Sequence, residues 1–258
     1  MFKDEISSIG NSAATKVSIM KKTPASYFIL SMLAGIFVGI GVLLIFTIGG
    51  ILSAVSFPGT KIVMGVSFGV ALSLVIMAGS ELFTGNNFVM AIGIYTKKVS
   101  ISDTMKLWIF CWLGNLVGSI LLAVLFAFSG LANGDVGNFI AQTSAAKINV
   151  PAIQLLIRGI LCNMLVCLAV WCSIKMKSES GKLIMIFWCL FAFITAGFEH
   201  SVANMTLLSI GFINPMNHAI NLGGYFYNLA WVTLGNMIGG ILLIALPYAF
   251  ISDKTTKM

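Results

Sequence analysis

Four ionisable side chains interrupt otherwise long apolar runs: Glu81, Arg158, Glu199 and His200. Charge inside a continuous apolar stretch is costly, so such residues are either paired structurally or used in function. Glu81 stands five residues before Asn86, and Glu199 five residues before Asn204. A carboxylate beside an unwound turn can accept hydrogen bonds from backbone N–H groups freed there, which predicts a structural role for Glu81, Asn86, Glu199 and Asn204 at two helix breaks. His200 has no counterpart at the first break, where Leu82 follows the glutamate. A polar residue present in only one copy of a repeated frame points to function. A neutral imidazole donates one hydrogen bond and can also titrate. Arg158 is expected to snorkel or to pair between helices, and His218 is given no role.

Other chemistries find no support. Glu199, His200 and His218 form neither HExxH nor another compact ligand set, so no metal is expected. The five cysteines lie in apolar stretches without a CxxC pair, as small buried hydrophobes do. No glycine-rich phosphate loop is present, and no cofactor is called for. An embedded enzyme would need converging acid, base and metal ligands, and only Glu199-His200 is on offer.

The elements that position these residues follow from composition. The chain of 258 residues is 59% hydrophobic and 9% charged, with mean hydropathy +1.01. A soluble domain has about 25% charge; this chain lacks the polar surface to be one. Its net charge of +7 is scattered between apolar runs and is no nucleic-acid footprint. Six spans are predicted, at 27–48, 62–96, 107–128, 152–174, 183–214 and 226–250. The second, as one helix, would be about 52 Å long against a hydrocarbon core of about 30 Å. It must break, with Gly85-Asn86-Asn87 as the expected place; the fifth is expected to break near Val202–Asn204. Twelve basic residues fall before span one, between spans two and three, between four and five, and in the tail, while Lys61 and Lys147 alone mark the opposite side. The positive-inside rule then places both termini in the cytoplasm. Residues 1–26 form a cytoplasmic amphipathic segment, with Phe2, Ile6, Ile9, Ala13, Val17 and Met20 at helical spacing. Residues 27–250 are expected to form the six-span transmembrane domain, and 251–258 a cytoplasmic tail.

Gly114-Asn115-Leu116-Val117-Gly118 in span three matches Gly235-Asn236-Met237-Ile238-Gly239 in span six. Together with the two Glu-x-x-x-x-Asn runs, this makes spans one to three a repeat of spans four to six. A three-span unit crosses an odd number of times, so its copy is inverted, and paired broken helices in inverted repeats mark a transport path. The glycines suit close helix packing. A single Asn214-Pro215-Met216 follows the second half-helix instead of opening one, which argues against an aquaporin proper.

Three stretches resemble the formate/nitrite transporter family: Ile76–Gly85 (IMAGSELFTG), Gly159–Ala169 (GILCNMLVCLA) and Gly197–Met205 (GFEHSVANM). They occur in order, and the six-span pattern covers nearly the whole chain. The resemblance implies an all-α, aquaporin-like protomer in a homopentamer of the bacterial inner membrane, with one pore per protomer for hydrosulfide, formate or nitrite; the chain looks closest to the hydrosulfide-channel branch. It implies Thr84 and His200 at the pore centre, Phe68, Leu72, Leu82 and Phe193 at apolar constrictions, Asn163 and Val166 along the pore, and Lys147 at the outer vestibule. The alternative is an aquaporin-like channel for neutral solutes.

Overall fold

A computed structural model describes residues 2–254, with side chains through Ser252. Among these residues the secondary structure is helical: α1 (Lys3–Lys22), α2 (Pro24–Ala54), α3 (Thr60–Ser67), α4 (Val70–Met77), α5 (Phe83–Tyr95), α6 (Ile101–Phe128), α7 (Gly134–Ile148), α8 (Ala152–Lys175), α9 (Glu179–Ala196), α10 (Ser201–Ile213) and α11 (Leu222–Gly240), which continues through a π-helical turn, Ile241–Ala245, into α12 (Leu246–Lys254). Six helical segments among the described residues are long and apolar enough to cross a membrane, with α3 and α4 counted as one and α11 to Ser252 as another. Of the expected tail, residues 255–258 lie outside the described part.

Local chemistry sets the boundaries. Pro24 opens α2, where its missing N–H costs nothing. Ser100, Ser178 and Asn221 cap α6, α9 and α11 by accepting N–H bonds from Asp103, Gly181 and Gly224. Asn214 and Pro215 follow the end of α10, since proline cannot continue a helix.

Both long apolar stretches break, but upstream of the expected places. The first opens at 78–82, where Gly79 takes φ +74°, and Leu82 is extended ahead of α5. The second opens at 197–200, where Gly197 takes φ +80° and His200 is extended ahead of α10. A glycine in the left-handed region ends a helix without Cβ strain. Gly85, Asn86 and Asn87 instead lie inside the first turns of α5, as Val202 and Asn204 do in α10. The half-helices therefore begin at Phe83 and Ser201, ahead of both asparagines.

The two repeats are built alike. In the first, α6 lays Gly114 and Gly118 against the backbone of α2 at Phe28, Ser31 and Met32; in the second, α11 lays Gly235 and Gly239 against α8 at Leu156 and Ile160. A Cβ at Gly118, Gly235 or Gly239 would strike backbone atoms of the facing helix, and one at Gly114 would strike the Cβ of Ser31. Such small residues let helices approach closely where no hydrophobic force drives them together. The connection between α6 and α8 holds one helix the sequence reading missed, α7, which carries Lys147 in its last turn.

Candidate functional site

The two broken spans meet at the molecule's centre. The N-terminus of α5 is held by Asn115 of α6: its Oδ1 accepts the Phe83 N–H (2.9 Å), and its Nδ2 donates to the carbonyls of Ser31 (2.7 Å) and Glu81 (2.9 Å). Asn236 of α11 does the same for α10. Its Oδ1 accepts the Ser201 N–H (2.9 Å), and its Nδ2 donates to the carbonyls of Gly159 (2.8 Å) and Glu199 (3.0 Å). These asparagines are the middles of the two Gly-Asn-x-x-Gly runs. One amide supplies both an acceptor and two donations, which is what a break with stranded backbone groups of both kinds requires.

The glutamate carboxylates are therefore not spent on backbone N–H groups, which is the role the sequence predicted for them; side chains fill both. Glu81 accepts from Lys16 Nζ (2.6 Å), Asn86 Nδ2 (2.9 Å) and the Tyr27 hydroxyl (3.1 Å). Glu199 accepts from Lys147 Nζ (2.5 Å) and Asn204 Nδ2 (2.7 Å), and Asn204 also donates to Asn228 Oδ1 (2.9 Å). Each unit is a lysine–glutamate–asparagine set near the start of a half-helix, one per repeat. Lys16 comes from α1 and Lys147 from α7, elements outside the six spans. Lys16 and Tyr27 carried no sequence signal, because nothing in spacing tells which distant residue closes on Glu81. Arg158 is partly exposed, bonding Gln154 Oε1 (3.3 Å), while its backbone carbonyl accepts the Glu199 N–H (3.2 Å).

Three spaces line up past these sets. A cavity of about 310 Å³ is bordered by Lys61, Lys147, Phe139, Glu199 and His200 and closes at Phe68 and Phe193. A second, of about 250 Å³, is bordered by Lys16, Glu81, Asn86 and Val89 and closes at Leu72 and Leu82. Between them Phe68, Leu72, Leu82, Val166, Leu190, Phe193 and His200 enclose about 10 Å³. That is room for about one water. The Phe68 and Phe193 rings meet edge-on at 5.6 Å, and Phe193 stacks on His200 at 6.1 Å.

His200 is fixed at both nitrogens. Nδ1 accepts the Ala203 N–H (3.1 Å) as the cap of α10, and Nε2 lies 2.9 Å from Thr84 Oγ1. With Nδ1 an acceptor, the neutral ring carries its proton on Nε2, and the Thr84 hydroxyl keeps its own proton to offer. Thr84 itself is fully buried and sits behind His200. Asn163 does not border the chamber: its Nδ2 donates to the carbonyls of Asn236 (2.7 Å) and Thr84 (3.3 Å), so it ties α8 to α11 and to the half-helix α5. Val166 does border the chamber.

The formate/nitrite transporter family matches residues 4–250. The nitrite transporter NirC of Salmonella typhimurium is 40% identical over 258 residues, covering all of this chain and 94% of that protein. The formate channel FocA of Escherichia coli K12 is 32% identical over 247 residues, covering 88% and 86%. Among solved structures, an FNT family ion channel superposes with TM-score 0.91 at 38% identity, over 97% of this chain and 99% of that one. A pentameric formate channel with formate bound gives TM-score 0.78 at 28% identity, over 90% and 98%. The paired broken helices, the repeated Glu–Asn sets and the match along nearly the whole length agree: this chain is a multi-pass membrane protein of the formate/nitrite transporter family.

Proposed function

We propose that the protein passes small monovalent anions of weak acids through a pore in each protomer of a homopentamer, with both termini in the cytoplasm. The set comprises nitrite, formate and hydrosulfide. Nitrite and formate are what the relatives' names specify, and the pentamer follows the solved formate channel. The observation that carries the reading is the chamber of about 10 Å³ between two apolar closures, with the His200–Thr84 pair as its polar element.

A bare anion at an apolar closure loses hydration worth several kcal/mol or more. Three features offset that cost. The half-helices starting at Phe83 and Ser201 turn their positive dipole ends toward the centre. Nε2–H of His200 is the donor at the chamber wall, held by Thr84 Oγ1 at 2.9 Å until an anion takes it. Lys61 stands in the flanking cavity on the Glu199 side with no ion-pair partner among the described residues, where it raises local anion concentration to an extent that salt screens, while Lys147 and Lys16 are balanced by Glu199 and Glu81. Protonating Nδ1 would set two N–H groups against each other at the cap of α10. That supports a hydrogen-bonding role for His200 over that of a carrier of a second proton, and so channel-like passage.

Flux in proteoliposomes tests this, with nitrite, formate, hydrosulfide, chloride and glycerol compared at several pH values under a set membrane potential. The expected result is electrogenic flux of the weak-acid anions and none of glycerol. Electroneutral flux that follows the proton gradient would instead establish proton-coupled passage as the neutral acid. Glycerol flux indifferent to potential would establish the neutral-solute channel.

A further inference from the structure

We infer that the rim between α1 and α6 is a binding site for an anionic phospholipid, with its headgroup among Lys22, Lys97 and Lys98 and an acyl chain along Ile101, Met105 and Ile109. The site rests on the proposed cytoplasmic placement of the termini and is independent of which anion is transported. A groove of about 720 Å³ lies where the last turn of α1, the end of α5 and the start of α6 converge. Four lysines border it, Lys21, Lys22, Lys97 and Lys98, against one acid, Asp103. Asp103 is already taken by Lys21, 2.7 Å from its Nζ. Among the described residues Lys22, Lys97 and Lys98 enter no ion pair, and all three are exposed.

The groove has an apolar exit. Ile101 borders it and is 67% exposed. Met105 and Ile109 follow at intervals of four, so they continue on the same face of α6. Both also border a second groove of about 510 Å³ between α6 and α11, with Trp112, Phe226 and Leu234 on its walls. The apolar slot thus runs along one face of α6, starting from the basic head formed by the end of α1 and the turn before α6. A soluble anion has no use for the slot, and a zwitterionic lipid little use for three unpaired lysines. An anionic phospholipid satisfies both, because lysines near the inner leaflet are attracted to its headgroups.

Trp112, in the slot, provides the readout. The full-length protein is titrated with phosphatidylglycerol or phosphatidylcholine carrying brominated chains, and tryptophan quenching is followed, with Trp112→Phe assigning the slot signal. Phosphatidylglycerol is expected to quench Trp112 at lower mole fraction, and high salt to remove the difference. Each lysine replaced among Lys22→Gln, Lys97→Gln and Lys98→Gln should lower the preference roughly fivefold at low salt, while arginine replacements keep it. Inorganic phosphate should not displace the quencher. Equal quenching by the two lipids in the parent overturns the site, as does a preference that survives the triple glutamine variant. Absence of quenching by either means that protein covers the slot, and also overturns it. Should the triple variant fail to assemble, the salt dependence of the parent decides: a preference unchanged at high salt is not electrostatic, and the proposal falls.

Discussion

His200 carries two jobs at one position. It caps α10 through Nδ1 and faces the chamber beside Thr84. His200→Phe keeps much of the ring's bulk and removes both bonds. Loss of a hydrogen bond to a charged group costs roughly 1.5–3 kcal/mol, or about ten- to a hundredfold in flux where that step is limiting. His200→Asn should retain the cap and a donor and lose less. Anion flux normalised to assembled pentamer separates the outcomes; if His200→Phe conducts like the parent with the same pH dependence, the ring is only packing. Asn115 and Asn236 predict a different phenotype. Replacing either with Leu strands a buried N–H and two carbonyls, at roughly 1–3 kcal/mol for each group left unsatisfied. Thermal unfolding in detergent should show both variants clearly destabilised. Glu199→Gln keeps an acceptor for Asn204 but leaves Lys147 without its counter-charge, so it should chiefly lower assembly yield.

At the level of elements, α1 lies outside the repeats and reaches the site from the Glu81 side. Its apolar face, Ile6, Ile9, Ala13 and Val17, is buried against the protein, and Lys16 extends to Glu81. Its start is pinned by Phe2, whose ring meets Trp171 at 5.4 Å and Tyr248 at 5.8 Å. A helix so attached to the Glu81 cavity and to α2 can change access to the chamber without touching its walls. Deleting residues 1–20 is therefore expected to alter open probability or pH response in single-channel or flux recordings while preserving the order of permeant anions. A changed order with unaltered gating would place α1 in selectivity instead. The α2–α6 and α8–α11 contacts carry the packing. Gly118→Val and Gly239→Val would each drive a side chain into facing backbone, and both should reduce pentamer recovered from membranes.

For the whole molecule, the repeat supplies a symmetric frame and a few substitutions make it a passage with a distinct centre. Leu82 answers His200, Val202 answers Thr84, and the asparagine–backbone clamps are the same on both sides. Topology gives the clearest test at this scale. With single cysteines at the lysine positions, 61 and 147 should label from outside and 98, 177 and 254 from the cytoplasm. Reversal at any one of them breaks the six-span arrangement and, with it, the placement of the lysine-rich rim.

Apolar run lengths against a membrane of fixed thickness were enough to give six spans, two of them broken, because runs of this length satisfy their backbone hydrogen bonds in lipid as helices, and the matched Gly-Asn-x-x-Gly and Glu-x-x-x-x-Asn runs added the inverted repeat. The same logic singled out Glu81, Glu199 and His200, since ionisable groups inside spans are rare. The place of each break was decided by tertiary contact. Gly79 and Gly197 could bend the chain, but so by composition could Gly85-Asn86-Asn87; what selects the former is Asn115 and Asn236, reaching over from α6 and α11. The partners of the two carboxylates depended likewise on the fold, because Lys16, Tyr27 and Lys147 are 65, 54 and 52 residues away from them. Asn163 illustrates the limit most simply. Its motif could be read from the sequence, but whether its amide faced the passage or the backbone of Thr84 was settled by how α8 packs against α5 and α11. Periodicity fixes a side chain's face on its own helix, while the neighbour on that face is chosen by packing.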